Sequence, residues 1–203
     1  RSLASRSGRV AREGQGLAAQ LRSVGTAATA LACDSADCPE LGALHSTSPI
    51  IGMLHAAGAG DTGLLNELDA HRMGWMHAPK AVGAWYVRHA AATRPLDSRL
   101  LFSSVGSGLG NVGQASYAAA NACLDALALS HRAHGEAACS LQWPRVGGAG
   151  MGAAAFAAMG ERRIAIAGLA GISLEAYAAG LGAQVAAGVG VSLSVQLAHR
   201  SDV

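Results

Sequence analysis

Residues 100–121 read Leu100-Leu-Phe-Ser-Ser-Val-Gly-Ser-Gly-Leu-Gly-Asn-Val-Gly-Gln-Ala-Ser-Tyr-Ala-Ala-Ala-Asn121. An apolar run ends in two serines, a glycine-rich stretch comes next, and an alanine-rich run opens around Tyr117. This is the pattern of strand, loop and helix in succession. The strand is expected from Leu100 to Ser104 and the loop over 106–113. The helix is expected from about Gln114 to His134, stopped at Gly135.

The alternation spreads both ways along the chain. Upstream, residues 9–24 read as a helix ending near Gly25, and 26–32 as a short apolar strand leading to the polar Asp34-Ser35-Ala36-Asp37. Ile50 to His55 reads as a buried strand and Ala56 to Gly60 as a tight glycine turn. Asp69 reads as the N-cap of a helix leading to Lys80, kinked or split at Pro79 and continuing from Val82 to Ala92. Downstream, Ala138 to Trp143 is a strand, and 144–160 is Gly/Ala-rich without periodicity, the mark of a mobile lid or loop. A helix near 173–187 and a strand from Val191 to Leu197 close the chain. Such alternation argues for an α/β fold with a parallel sheet covered on both faces. Residues 1–203 read as one domain, with a lid at 144–163 and no internal repeat.

Length and composition agree. The 203 residues suit one sizeable core, 51% are apolar, and 27 are glycine, which favours close helix–sheet packing. A net charge of +2, scattered along the chain, implies neither nucleic acid nor an anionic membrane as partner. Cys33, Cys38, Cys123 and Cys139 form no C-x-x-C and no zinc-ligand spacing with histidine. They read as reduced, mostly buried thiols in a cytoplasmic setting. His131 and His134 read as solvated or dipole-complementing groups near a helix end, and no metal site is expected. The stretch from Ile164 to Val195 is apolar on average but carries Glu175, Gln184 and many glycines, so no transmembrane helix is expected. The Arg- and Ser-rich start resembles an organellar transit peptide, but Glu13 interrupts it.

Gly108-Leu-Gly-Asn-Val-Gly113 matches G-x-G-x-x-G, after a strand and before a helix. A ribose-binding acid belongs roughly 20 residues further on, at the end of the next strand. Here that position is still inside a helix. The loop is therefore read as the floor of a catalytic cleft or as a packing turn, not as a phosphate loop.

Ser104 lies thirteen positions before Tyr117, Lys80 thirty-seven before it, and Asn121 four after it. A phenol titrates near pH 10, and a nearby ammonium lowers that value toward the range useful for proton transfer. A serine hydroxyl can orient a carbonyl oxygen, and an asparagine four residues on shares the tyrosine's helix face. Together these are the parts of a proton donor for carbonyl reduction. Singly, each has a plain structural reading: core tyrosine, surface lysine, satisfied amide, strand-ending serine.

Phe102-Ser-Ser-Val-Gly106 and Gly113-Gln-Ala-Ser-Tyr-Ala-Ala-Ala-Asn-Ala122, with His55-Ala-Ala-Gly58 and Ala78-Pro-Lys80, resemble the ketoreductase domain of modular polyketide synthases. Asparagine four after the tyrosine, with the lysine upstream, is the exchanged arrangement typical of polyketide and animal-type fatty acid synthase ketoreductases. The resemblance implies a Rossmann-like fold and NADPH-dependent reduction of a β-ketoacyl thioester carried by the phosphopantetheine arm of an acyl carrier protein. It implies that Tyr117 donates the proton, Ser104 orients the ketone, Lys80 tunes Tyr117 and contacts the nicotinamide ribose, and Asn121 supports the relay. By the same resemblance Ser5 and Arg6 meet the 2′-phosphate, Asp34 lies beside the adenine, and Ala57 and Gly58 line the cofactor. Gln114, Leu109, Trp143 and Met151 fall on the substrate and lid side. The Ser5–Gly8 segment then takes the place of the transit-peptide reading.

The departures carry expectations too. The family places a strand, a phosphate turn and a helix before the Ser-Arg segment. This chain is expected to be a fragment of a longer protein that lacks them, with its second strand unlinked to the fourth. Alone, it is expected to bind NADPH weakly or not at all. The Leu-Asp-Asp marker of one stereochemical class is Gly60-Asp-Thr62 here, and the tryptophan of the other is Leu109. After Trp143 stands Pro144 in place of glycine. A freestanding carbonyl reductase and a non-catalytic bracing module are the competing readings.

Overall fold

The computed structural model describes residues 2–9, 23, 25, 28–47, 49–60, 63–94, 96–110, 112–147 and 171–186. The expected strand Val191–Leu197, Met151, and most of the helix over 9–24 and of the lid lie outside them. Strands β1 (Ser2–Ser5) and β2 (Thr29–Ala32) pair in parallel. Strands β3 (Gly52–His55), β4 (Ser98–Ser104) and β5 (Ala138–Trp143) form a second parallel sheet in that order. Among the described residues no ladder joins the two sheets.

β4 is the centre of the larger sheet, and its apolar residues serve both faces. On one face Leu100 packs with Cys139, Leu141 and Trp143 against Tyr177 and Leu181 of helix α6 (Leu174–Ala186). On the other, Leu101 packs with Ala84, Leu124 and Ala128. Ala84 belongs to α3 (Gly83–Ala90), and Leu124 and Ala128 to α5 (Ala115–Ala133). Leu101 and Leu124 are fully buried, each worth about 2 kcal/mol of apolar transfer. A third cluster, Cys33, Leu41 and Val87, ties the β2 side to α3 through α1 (Cys38–Thr47).

Local chemistry explains the joints. Asp69 caps α2 (Ala70–His77) by accepting from the Arg72 amide. At Ala78–Val82 the helix then widens into a π turn in which the Gly83 amide reaches back to Ala78 O. Pro79 removes one amide there, and the wide turn accommodates its ring. At the other end of the site, α5 stops at Gly135 (φ 78°), with Gly135 N bonded to Arg132 O and Glu136 N to His131 O. This is the paired bond pattern of a left-handed glycine stop.

Several expectations change. The expected buried strand 50–55 is shorter, and only His55 on it is buried. Ile51 is 67% and Leu54 53% exposed. Residues 56–60 run on as irregular chain rather than a tight turn. The expected loop 106–113 begins as a helical turn, α4 (Gly106–Leu109), and only then turns through Gly110 and Gly113, both at positive φ. Cys33 and Cys139 are buried, but Cys38 and Cys123 are exposed, and all four are thiols rather than disulfides. His131 is not solvated: it is fully buried, with Nδ1 on Glu136 Oε2 at 2.7 Å.

Candidate active site

Within each sheet the strands run parallel, so the segments leaving the carboxyl ends of that sheet gather on one side. Ligands of open α/β sheets sit outside those ends. Arg6 comes directly after β1, Asp34 just after β2, and Ala57 and Gly58 just after β3, while Ser104 ends β4 and Trp143 ends β5.

Lys80 comes from the π turn and is 3% exposed. Its ammonium donates to Asn121 Oδ1 at 3.0 Å and to Phe102 O at 3.2 Å. Asn121 in turn donates from Nδ2 to Tyr117 O, one helical turn earlier, at 2.8 Å. That bond fixes the amide so that its oxygen faces Lys80. Lys80 Nζ lies 5.4 Å from the centroid of the Tyr117 ring. Burial pushes the Lys80 ammonium down to about 8, against the opposing pull of Asp125. The lysine is thus poised to lose its proton within the working range of enzymes.

Ser104 Oγ accepts from the Gly106 amide at 3.2 Å, which leaves its own proton free to point outward. The neighbouring Ser103 faces inward and donates to Asn121 O at 3.3 Å, docking α5 on β4. Among the described residues the Tyr117 phenol makes no hydrogen bond to Ser104 or Lys80. The structure therefore brings Lys80, Asn121 and Tyr117 into one contact set and leaves the Ser104 and Tyr117 hydroxyls as separate groups.

Two elements support Lys80 from behind. His55 Nε2 donates to Lys80 O at 3.3 Å, and burial holds this imidazole below its ordinary value, hence neutral near pH 7. A side chain on Gly83 would meet Ser35 Oγ at 2.7 Å and His55 Cε1 at 3.1 Å. So the β2–α1 turn, the end of β3 and the start of α3 converge at Gly83, three residues after the lysine.

The expected cofactor positions fit an anionic dinucleotide. Arg6 is exposed in the turn Ser5–Gly8, closed by Gly8 N on Ser5 O, and its guanidinium suits a phosphate. Gly8 (φ 66°) lies so close to Ala32 that an added Cβ would sit 3.1 Å from its amide nitrogen. That contact seats the Arg6 turn against β2. Asp34 Oδ1 accepts from the Ala36 amide, and the Asp34 amide donates to Glu40 Oε2, so this acid is already committed to its own turn.

On the substrate side, Gln114 precedes α5 without capping it, and Leu109 is 59% exposed at the end of α4. Trp143 is buried, with its ring 4.4 Å from that of Tyr177, so it serves the core. Sequence reasoning missed Asp125 and Ser107. Asp125 stands four residues after Asn121 and eight after Tyr117, the spacing of one helix face, and that was the available signal. Among the described residues no group of His, Cys, Asp and Glu is placed to hold a metal ion, and no helix is long and apolar enough to cross a membrane.

Comparison with known proteins agrees with this arrangement. The family model described as KR domain matches residues 2–148. The spectinabilin polyketide synthase system protein NorB of Streptomyces orinoci is 39% identical over 176 residues, 83% of this chain and 8% of that protein. Polyketide synthase GfsA of Streptomyces halstedii is 43% identical over 145 residues, 70% of this chain and 2% of that protein. Among solved structures, the first ketoreductase of the tylosin PKS superposes with a TM-score of 0.82 at 36% identity, covering 98% of this chain and 43% of that one. The chain thus spans less than a tenth of these curated relatives' length.

Proposed function

The chain belongs to the KR domain family, and from that premise we propose that it reduces a β-ketoacyl thioester to the β-hydroxyacyl thioester in polyketide biosynthesis. We assign NADPH as reductant and an acyl carrier protein, bearing the substrate on phosphopantetheine, as the partner, with further synthase domains as neighbours. The observation that carries the reading is the Lys80–Asn121–Tyr117 set, in which a buried ammonium lies against a tyrosine ring and is oriented by an amide.

NADPH, when bound, supplies the hydride. In the proposed scheme Ser5 and Arg6 meet its 2′-phosphate, Asp34 lies beside the adenine, and Ala57 and Gly58 line the cofactor. The protein's own part is proton management. Ser104 donates a hydrogen bond to the ketone oxygen and fixes its direction. Tyr117 gives its phenolic proton to that oxygen as negative charge develops there. The Lys80 ammonium then stabilises the phenolate left behind, and Asn121 holds Lys80 in place for the next proton. Leu109 and Gln114 flank the entry for the acyl chain.

The test is NADPH oxidation with a β-ketoacyl thioester, carrier-linked and free, by the protein that carries this chain. Tyr117→Phe removes the proton and keeps the ring, so kcat is expected to fall by about 100-fold or more. Turnover undiminished in that variant sinks the assignment. Equal rates with carrier-linked and free substrate sink the choice of partner.

A further inference from the structure

Asp125 takes no part in the proposed proton transfer, yet three donors converge on its carboxylate. Ser140 Oγ donates to Oδ1 at 2.6 Å, Ser107 Oγ to Oδ2 at 2.6 Å, and Gln142 Nε2 to Oδ2 at 2.8 Å. Ser140 and Gln142 lie on β5, and Ser107 on α4. Short O–H···O⁻ bonds of this kind are the stronger class of hydrogen bond. A half-buried carboxylate at the centre of three donors is held in one position.

From this geometry we infer that Asp125 is a positioning residue that couples the Ser104 side of the site to the Lys80–Asn121–Tyr117 side. One arm runs through Ser107. Its hydroxyl pins α4, whose first amide, Gly106 N, holds Ser104 Oγ at 3.2 Å. The second arm runs along α5, where Asp125 is one helical turn after Asn121 and two after Tyr117. It acts through charge on Lys80, whose proton the carboxylate helps retain. Among the described residues the other titratable groups facing Lys80 are His55 on β3, which burial keeps neutral, and Tyr117 on α5. Asp125 is therefore the acidic counterweight to the desolvation of the ammonium. Gln142 and Ser140 fix where that charge sits.

The inference rests on the proposed function for its kinetic arm, so the closing experiment carries a readout independent of turnover. In the protein that carries this chain, lysine-selective isotope labelling allows the Lys80 ammonium to be titrated by NMR, its signal assigned by its loss in Lys80→Arg. Asp125→Asn keeps the shape and removes the charge. The Lys80 titration is expected to move to lower pH by roughly half a unit or more, while Asp125→Glu restores it. Ser107→Ala leaves the charge and cuts the other arm. It is expected to lower kcat with the β-ketoacyl thioester by about tenfold without moving the Lys80 titration. A structural brace alone leaves the titration unmoved, so an unshifted Lys80 in folded Asp125→Asn overturns the electrostatic arm. Wild-type kcat in Ser107→Ala overturns the Ser104 arm. Absence of any thioester reduction by the wild-type protein refutes the functional reading instead, and the Lys80 titration still decides the role of Asp125.

Discussion

Burial lowers the Lys80 ammonium to about 8, and the sign of the consequence differs for catalysis and for folding. For the proposed catalysis the charged form is the useful one, because it would support a Tyr117 phenolate. That support is present below about pH 8 and fades above it. The rate is therefore expected to show an alkaline limb near pH 8. Lys80→Arg keeps a cation at every working pH, so a slower enzyme without that limb is expected. A pH–rate profile in which Lys80→Arg retains the wild-type limb refutes the assignment of the limb to Lys80. For folding, the unfolded chain binds the proton more tightly, so stability rises with pH between about 8 and 10.5. At this scale the sequence carried four residues that spacing could link: Ser104, Tyr117, Lys80 and Asn121. Asp125 escaped because its donors Ser107, Ser140 and Gln142 lie 15 to 18 residues away on two other elements. No short-range pattern announces such a convergence.

At the scale of elements, the π turn at Ala78–Val82 converts one helix into a site. The proline predicts an interruption but not its type. A kink, a break and a widened turn all answer the same lost amide, and only the neighbours select among them. Here the selection shows at Gly83, where an added Cβ meets Ser35 Oγ at 2.7 Å and His55 Cε1 at 3.1 Å. Neither is the tip of a long, yielding side chain. Gly83→Val is expected to cost about 2 kcal/mol of stability, read by urea unfolding, and to lower kcat further in the folded fraction by shifting Lys80. Gly135→Ala serves as the comparison. It strains the positive φ at the far end of α5, costing about 1 kcal/mol, and is expected to leave kcat per folded molecule unchanged. Equal kcat in the two folded variants removes the link between the Gly83 contact and the lysine. Strand extents show the same limit of sequence reading. Ala138–Trp143 matches the structure because both its faces are occupied, Cys139, Leu141 and Trp143 in the core and Ser140 and Gln142 on Asp125, whereas 50–55 is apolar in sequence but, among the described residues, pairs only with β4.

Across the whole molecule, order is distributed unevenly between the two sheets. Alternation of strands and helices was enough to predict parallel pairing and two covered faces, since each apolar strand needs cover above and below. The division of the sheet came only from the family resemblance, because composition says nothing about strand order. β4 is bonded on both sides and buried along most of its length, and its second residue is Arg99, 3% exposed, with Nη1 on Glu136 Oε2 at 2.8 Å. Burial works to raise the Glu136 carboxyl, but hydrogen bonds from Arg99 and His131 outweigh it and hold the group at about 2. That cluster joins β4 to the end of α5, and Arg88 of α3 reaches the same carboxylate at 3.2 Å. Among the described residues β1 and β2 pair only with each other and are mostly exposed, and the Cys33–Leu41–Val87 cluster is what ties the β2 side to α3. Amide exchange of sheet residues requires breaking the ladder that holds them, so protection tracks the cost of local opening. The amides of β4 and β5 are expected to exchange only through global unfolding, and those of β1 and β2 by cheaper local opening, at least about 100-fold faster. On the proposed contact of NADPH with Arg6, just beyond β1, the nucleotide is expected to slow exchange in β1 and β2 selectively. Uniform protection in the free protein refutes the unequal anchoring of the two sheets, and nucleotide-insensitive exchange in β1 and β2 refutes the Arg6 contact.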